Sequence, residues 1–283
     1  MIKFVNAKLN LGLNIVRRRP DGYHDLETVF YPVGLYNGTP DNPEPFCDIL
    51  EITPAESTEF VFMGRTVDCP LEKNLVYKAW KTFREEYPSL AEYRICLEKH
   101  LPDGAGLGGG SADAGFVLRI LNELSGFPFS DSRLAEMALR LGADCPFFVY
   151  NRPLFAKGVG EIMSPVGLDL SGWWCALVKP ELSVSTREAF AGVSPAEPSH
   201  SLRDIVELKV EEWNGIMVND FEASLFPNHP VLSDIKNSLL ARGASYASMS
   251  GSGSTVFGLF HVREAALDAI KGFEDCYTTV CRL

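Results

Sequence analysis

The 283-residue chain is 46% hydrophobic and 22% charged, the balance of an ordinary globular protein long enough to bury a full core. Asp plus Glu (37) exceed Lys plus Arg (26), giving a formal net charge of −11, which disfavours nucleic-acid binding through phosphate neutralisation. An anionic ligand would have to be held by local backbone amides and a few placed cations. The seven cysteines, Cys47, Cys69, Cys96, Cys145, Cys175, Cys276 and Cys281, form no C-x-x-C and are odd in number, so reduced thiols are expected rather than a disulfide framework. His24, His100, His200, His229 and His261 form no H-x-x-x-H pair, and no metal site is expected. No apolar run approaches the ~18–20 residues of a membrane span, and the polar start of the chain does not resemble a signal peptide. A cytoplasmic location without membrane or nucleic-acid partners is the expectation.

Leu9, Leu11, Leu13 and Ile15 alternate with Asn10, Gly12 and Asn14, predicting a strand with one buried face. Asn6, Lys8 and Asn10 share its other face, which suits either solvent or the floor of a binding site. Arg17-Arg18-Arg19-Pro20-Asp21-Gly22 reads as a turn whose arginines are solvated, and Leu26–Val33 as the return strand of a hairpin. Residues 36–46 read as a surface loop. Strands are predicted at 47–53 and 59–63, a helix at 73–87 with Val76, Trp80 and Phe83 on one stripe, and a strand at Tyr93–Leu97.

That strand runs into Pro102-Asp103-Gly104-Ala105-Gly106-Leu107-Gly108-Gly109-Gly110-Ser111-Ala112, after which Val117, Leu118, Leu121 and Leu124 repeat at helical spacing. Glycines let backbone N–H groups approach an anion, and a helix start adds unpaired amides and a positive dipole end, so this segment predicts a phosphate site. It lacks the lysine of a Walker loop and lies too far along the chain for a first-strand dinucleotide motif. A helix over 131–141 is predicted to be capped by Gly142, with Asp144 on the loop beyond. Later elements are a strand at Trp174–Val178, helices near 202–209, 230–242 and 262–272, a small-residue loop within 244–260 and a strand near 277–281. Antiparallel hairpins with interspersed helices argue an α+β fold, divided near residue 150 into domains of 1–150 and 151–283.

The glycine segment resembles the phosphate loop of the GHMP kinases. Three further segments resemble the same family in the same order. These are Ala7-Lys8-Leu9-Asn10-Leu11 with Asp21-Gly22-Tyr23-His24-Asp25-Leu26-Glu27-Thr28, Leu141–Phe148 with Gly158–Glu161, and Met249–Ser254. The resemblance implies a two-lobed fold with the active site in the cleft between lobes, ATP as co-substrate and Mg²⁺ carried mainly by the nucleotide. It implies Asp144 as catalytic base, Lys8 as the cation beside it and residues 102–112 as the ATP loop. From the residues alone, Asp144 reads equally as a turn aspartate bonded to its own backbone. Tyr23 and His24 suit a base, one stacking and the other reading polar edges, although exposed turn aromatics read the same way. Within the family, Asn10, Tyr23, His24 and Phe190 resemble the substrate site of a branch that phosphorylates a cytidine diphosphate sugar alcohol. Homoserine or phosphomevalonate kinases, and a non-catalytic nucleotide sensor on the same fold, are the alternatives. Ala112 departs from the family, which usually has a second serine there.

Overall fold

A computed structural model describes residues 1–34, 46–65 and 69–283. The surface loop predicted at 36–46 lies outside these residues except for its last position. In chain order the described elements are β1 (Ile2–Arg18), β2 (His24–Val33), β3 (Cys47–Pro54), β4 (Glu59–Gly64), α1 (Leu75–Glu86), β5 (Tyr93–Lys99), α2 (Gly109–Leu124), α3 (Asp131–Leu139) and α4 (Cys145–Tyr150). They continue with β6 (Leu154–Gly158), β7 (Ile162–Pro165), β8 (Trp174–Pro180), α5 (Thr186–Ala191), α6 (Leu202–Ile205), α7 (Asp220–Leu225), α8 (Pro230–Ala241), β9 (Tyr246–Met249), β10 (Val256–Phe260), α9 (Arg263–Ala269) and β11 (Cys276–Arg282). The mixture is α+β, as the sequence predicts.

The chain forms two compact units, each drawn from several stretches. One comprises Met1–Ala7, Leu35–Asp103 and Gly108–Arg152; the other comprises Lys8–Gly34, Gly104–Leu107 and Pro153–Leu283.

In the first unit the strand order is β4-β5-β3-β1, with β4 parallel to β5 and the other two pairings antiparallel. Helix α1 starts because Asn74 Oδ1 accepts from the Val76 amide, an N-cap bond, and it buries Val76, Ala79 and Phe83. Helix α2 buries most of its length between α1 and α4. Its start at Gly109 is earlier than the apolar periodicity indicates, because the tertiary setting carries two glycines of poor helix propensity. Gly142 does not cap α3; Arg140 does, while the Gly142 amide reaches back to Ala138 O at 3.3 Å.

In the second unit the strand order is β1-β2-β6-β7, and another, antiparallel sheet has the order β11-β8-β10-β9. Helices α8 and α9 pack on that sheet around a core including Ile15, Val178, Leu232, Ile235, Met249, Val256 and Phe260. From Val5 to Ile15 every residue of β1 is buried, so the strand has two covered faces rather than the single one its alternation predicts.

Candidate active site

The polar face of β1 is thereby enclosed. Lys8 and Asn10 are each 3% exposed and Asn6 is fully buried. Lys8 Nζ hydrogen bonds to Asn10 Oδ1 and lies 5.3 Å from the Phe30 ring centroid. The Asn10 side-chain amide donates to Thr28 Oγ1 (2.9 Å), whose hydroxyl donates to Gly12 O (2.6 Å). Asn10 N donates to Ser250 Oγ (3.2 Å). An ammonium that only needed solvent would not be carried into a strand core, where desolvation is costly.

The same partners orient the first half of the glycine loop. Lys8 N donates to Leu107 O (2.9 Å), Ser250 Oγ to Gly106 O (2.9 Å) and Thr255 N to Ala105 O (3.3 Å). Three successive carbonyls are thus occupied on one side. A trans peptide aims its N–H opposite to its C=O, so the amides of Gly106, Leu107 and Gly108 face the other way. Gly106 has φ +73°, and a Cβ there would stand 2.0 Å from Ser250 O, so only glycine fits. Ser250 and Thr28 complete this arrangement; both lay inside the family-like segments without having been singled out.

In the first unit, Gly108 is the left-handed N-cap of α2 (φ 71°), so Gly109, Gly110 and Ser111 are its first-turn residues, with amides that have no carbonyl inside the helix. The Ala112 amide closes the turn on Gly108 O (2.8 Å), and its methyl is fully buried. Pro102 is buried, whereas Asp103 and Gly104 are exposed.

Asp144 ends the turn that leads into α4, as the N-cap residue of that helix, and its side chain makes no capping bond to it. Pro146 helps start this helix at a position that tolerates a missing N–H. Its other end is held by paired amides: Asn6 donates to Asn151 Oδ1 (3.1 Å) and Asn151 donates back to Asn6 Oδ1 (2.9 Å). Helix α4 packs closely on α2 at Gly115, where a Cβ would meet Phe148 Cβ at 2.7 Å. Cys145 touches Ser111, and burial pushes its thiol up to about 12, so it stays neutral. Asp144 is therefore fixed relative to the first turn of α2. All seven cysteines are free and Cys69 alone is exposed.

At the β1–β2 turn, Asp21 Oδ1 accepts from Tyr23 N (3.0 Å), and Arg17 and Arg19 pair with Asp25 and Asp21. The arginines are thus engaged by neighbouring carboxylates at the surface. Tyr23 is 65% exposed. His24 stacks on Phe190, which stands edge-on to Phe221. Among the described residues no cluster of three metal-ligating side chains occurs, and no helix is long and apolar enough to cross a membrane.

Residues 74–152 match the GHMP kinases N terminal domain and residues 200–276 match the GHMP kinases C terminal. The chain is 48% identical to a protein of Parabacteroides distasonis named 4-diphosphocytidyl-2-C-methyl-D-erythritol kinase, over 98% of this chain and 97% of the relative. A crystal structure of 4-(cytidine 5'-diphospho)-2C-methyl-D-erythritol kinase is similar with a TM-score of 0.82 and 32% identity, covering 100% of both chains. The homoserine kinase of Cytophaga hutchinsonii has a TM-score of 0.64 at 19% identity, covering 99% of this chain and 95% of that one, a likeness of fold alone.

Proposed function

The chain belongs to the GHMP kinases, in the branch of the 4-diphosphocytidyl-2-C-methyl-D-erythritol kinases, and from that premise we propose that Asp144 and Lys8 carry the phosphoryl transfer. The protein is an ATP-dependent small-molecule kinase of non-mevalonate isoprenoid biosynthesis, phosphorylating the 2-hydroxyl of 4-diphosphocytidyl-2-C-methyl-D-erythritol. The homoserine-kinase alternative has only the shared fold behind it. The reaction fits a protein whose cytoplasmic location we infer from its soluble substrates.

Phosphoryl transfer passes through a loose transition state, so the protein contributes position and charge stabilisation. MgATP enters as the substrate, its metal carried by the phosphates and water. Amides of Gly106–Ser111 receive those phosphates, helped by the positive end of α2. Asp144 accepts the proton of the attacking 2-hydroxyl. Lys8, held by Asn10, offsets the negative charge on the transferred group. Tyr23 stacks on cytosine and His24 reads its polar edge, with Phe190 fixing the imidazole plane.

The observation that supports this assignment of roles is the burial of Lys8 within β1, an ammonium kept at a cost that packing alone does not explain. Asp144→Asn tests it: kcat should fall ~10²–10⁴-fold while calorimetry shows ATP still bound. A folded variant with near-normal kcat would remove Asp144 from the reaction.

A further inference from the structure

A second polar cluster lies in the first unit. Lys99, the last residue of β5, donates from Nζ to Asp48 Oδ2 (2.5 Å) on β3 and to Asp113 Oδ2 (2.9 Å) on α2. All three are buried, at 2% exposure for Lys99, 0% for Asp48 and 3% for Asp113. Asp48 Oδ1 also accepts from the amides of His100 (2.6 Å) and Leu101 (2.7 Å), the backbone that leads into the glycine loop. Lys99 therefore ties the strand entering the loop to the helix leaving it. Its Nζ lies 2.9 Å from where a Cβ on Gly109, the first residue of α2, would stand.

The charges do not balance. Two carboxylates share one ammonium, and Asp113 Oδ1 is buried with no hydrogen-bond partner among the described residues. With all three groups ionised, the cluster adds one negative charge next to a helix start that must hold phosphates.

We propose that Asp113 is a positioning residue for ATP, and that a proton carried on its carboxyl keeps this cluster neutral beside the phosphate-binding turn of α2. The proposal rests on the reading of Gly106–Ser111 as the nucleotide site. Burial first, then the neighbouring Asp48 carboxylate, pushes the Asp113 carboxyl up to about 8, against the opposing pull of Lys99. Burial alone would lower the Lys99 ammonium, but Asp113 and Asp48 outweigh it and raise it, so Lys99 stays charged. The other titratable groups on the adjoining cavity of about 140 Å³ are Cys69, Lys73 and Asp103, while α1 presents the uncharged Leu75 and Val76, preceded by Asn74. The surplus proton thus sits on Asp113.

The test is the pH dependence of ATP use by the whole enzyme, as wild type and as Asp113→Asn, whose amide reproduces the neutral acid. Between pH 7 and 9 the wild-type KM for ATP should rise roughly tenfold, the effect of one extra charge near a phosphate, with kcat moving much less. In Asp113→Asn the rise should vanish. Asp48→Asn, which removes the surplus charge from the other carboxyl, should also flatten it. The proposal is overturned if wild type and Asp113→Asn show parallel profiles, or if the wild-type profile is flat, a result that needs no variant to fold. Absence of ATP binding by wild type in calorimetry at pH 7 would instead remove the nucleotide-site reading and the proposal with it.

Discussion

The His24 imidazole lies nearly parallel to the Phe190 ring, with centroids 4.7 Å apart and planes 17° from one another. Rings so close leave no space for a base between them, so the proposed stacking of cytosine falls to the exposed Tyr23 ring next to His24 in sequence.

Tyr23→Ala should therefore cost ~1–3 kcal/mol of stacking on the base. The base is remote from the reacting hydroxyl, so the loss should appear in KM for the cytidylyl substrate, with kcat and the KM for ATP little changed. Phe190→Ala should raise the same KM by freeing the imidazole. Steady-state kinetics with each substrate varied in turn checks both. A fall confined to kcat would contradict this arrangement.

Gly106→Val should abolish measurable ATP binding, since it combines a positive φ with a Cβ 2.0 Å from Ser250 O. Calorimetry on the folded variant, with circular dichroism as the control, gives the answer. Unchanged affinity would mean that the loop does not hold the nucleotide.

Gly115→Ala probes the packing of α4 on α2. A methyl there meets Phe148 Cβ at 2.7 Å and must push α4 away from α2, shifting Asp144. Overpacking of this kind costs ~1–3 kcal/mol of stability. We expect kcat to drop by about tenfold or more with ATP affinity retained, because misplacing a catalytic group is expensive. A melting shift without a kcat change would show that α4 can move without harm.

The Asp113 carboxyl also makes stability depend on pH. Its folded-state value is raised above that of the unfolded chain, so between about pH 4 and 8 the folded state holds a proton that the unfolded state has released. Its contribution to stability therefore declines as pH rises through that window. Thermal melts should show wild type losing ground to Asp113→Asn from pH 5 to 8; a constant gap would contradict the assignment.

Much of this was legible in the chain. Alternation marked β1, its polar row and the β2 hairpin, and the glycine segment marked the connection between β5 and α2. Short elements were not. The six residues of α4 form one apolar run, Cys145 to Tyr150, which periodicity cannot distinguish from a buried strand, so the helix that begins just after Asp144 was not legible. The strands β6 and β7 and the helices α5 and α7 are equally brief. The Lys99 cluster could not be read at all, because its partners lie 51 and 14 residues away and meet only through tertiary packing.

Product analysis tests the central claim most directly. The wild-type protein is given MgATP with 4-diphosphocytidyl-2-C-methyl-D-erythritol, homoserine or phosphomevalonate, and the products are assigned by phosphorus NMR. Efficient formation of the 2-phosphate of the cytidylyl compound, with little turnover of the other two, is the predicted result. Efficient turnover of homoserine or phosphomevalonate with the cytidylyl compound untouched would contradict it.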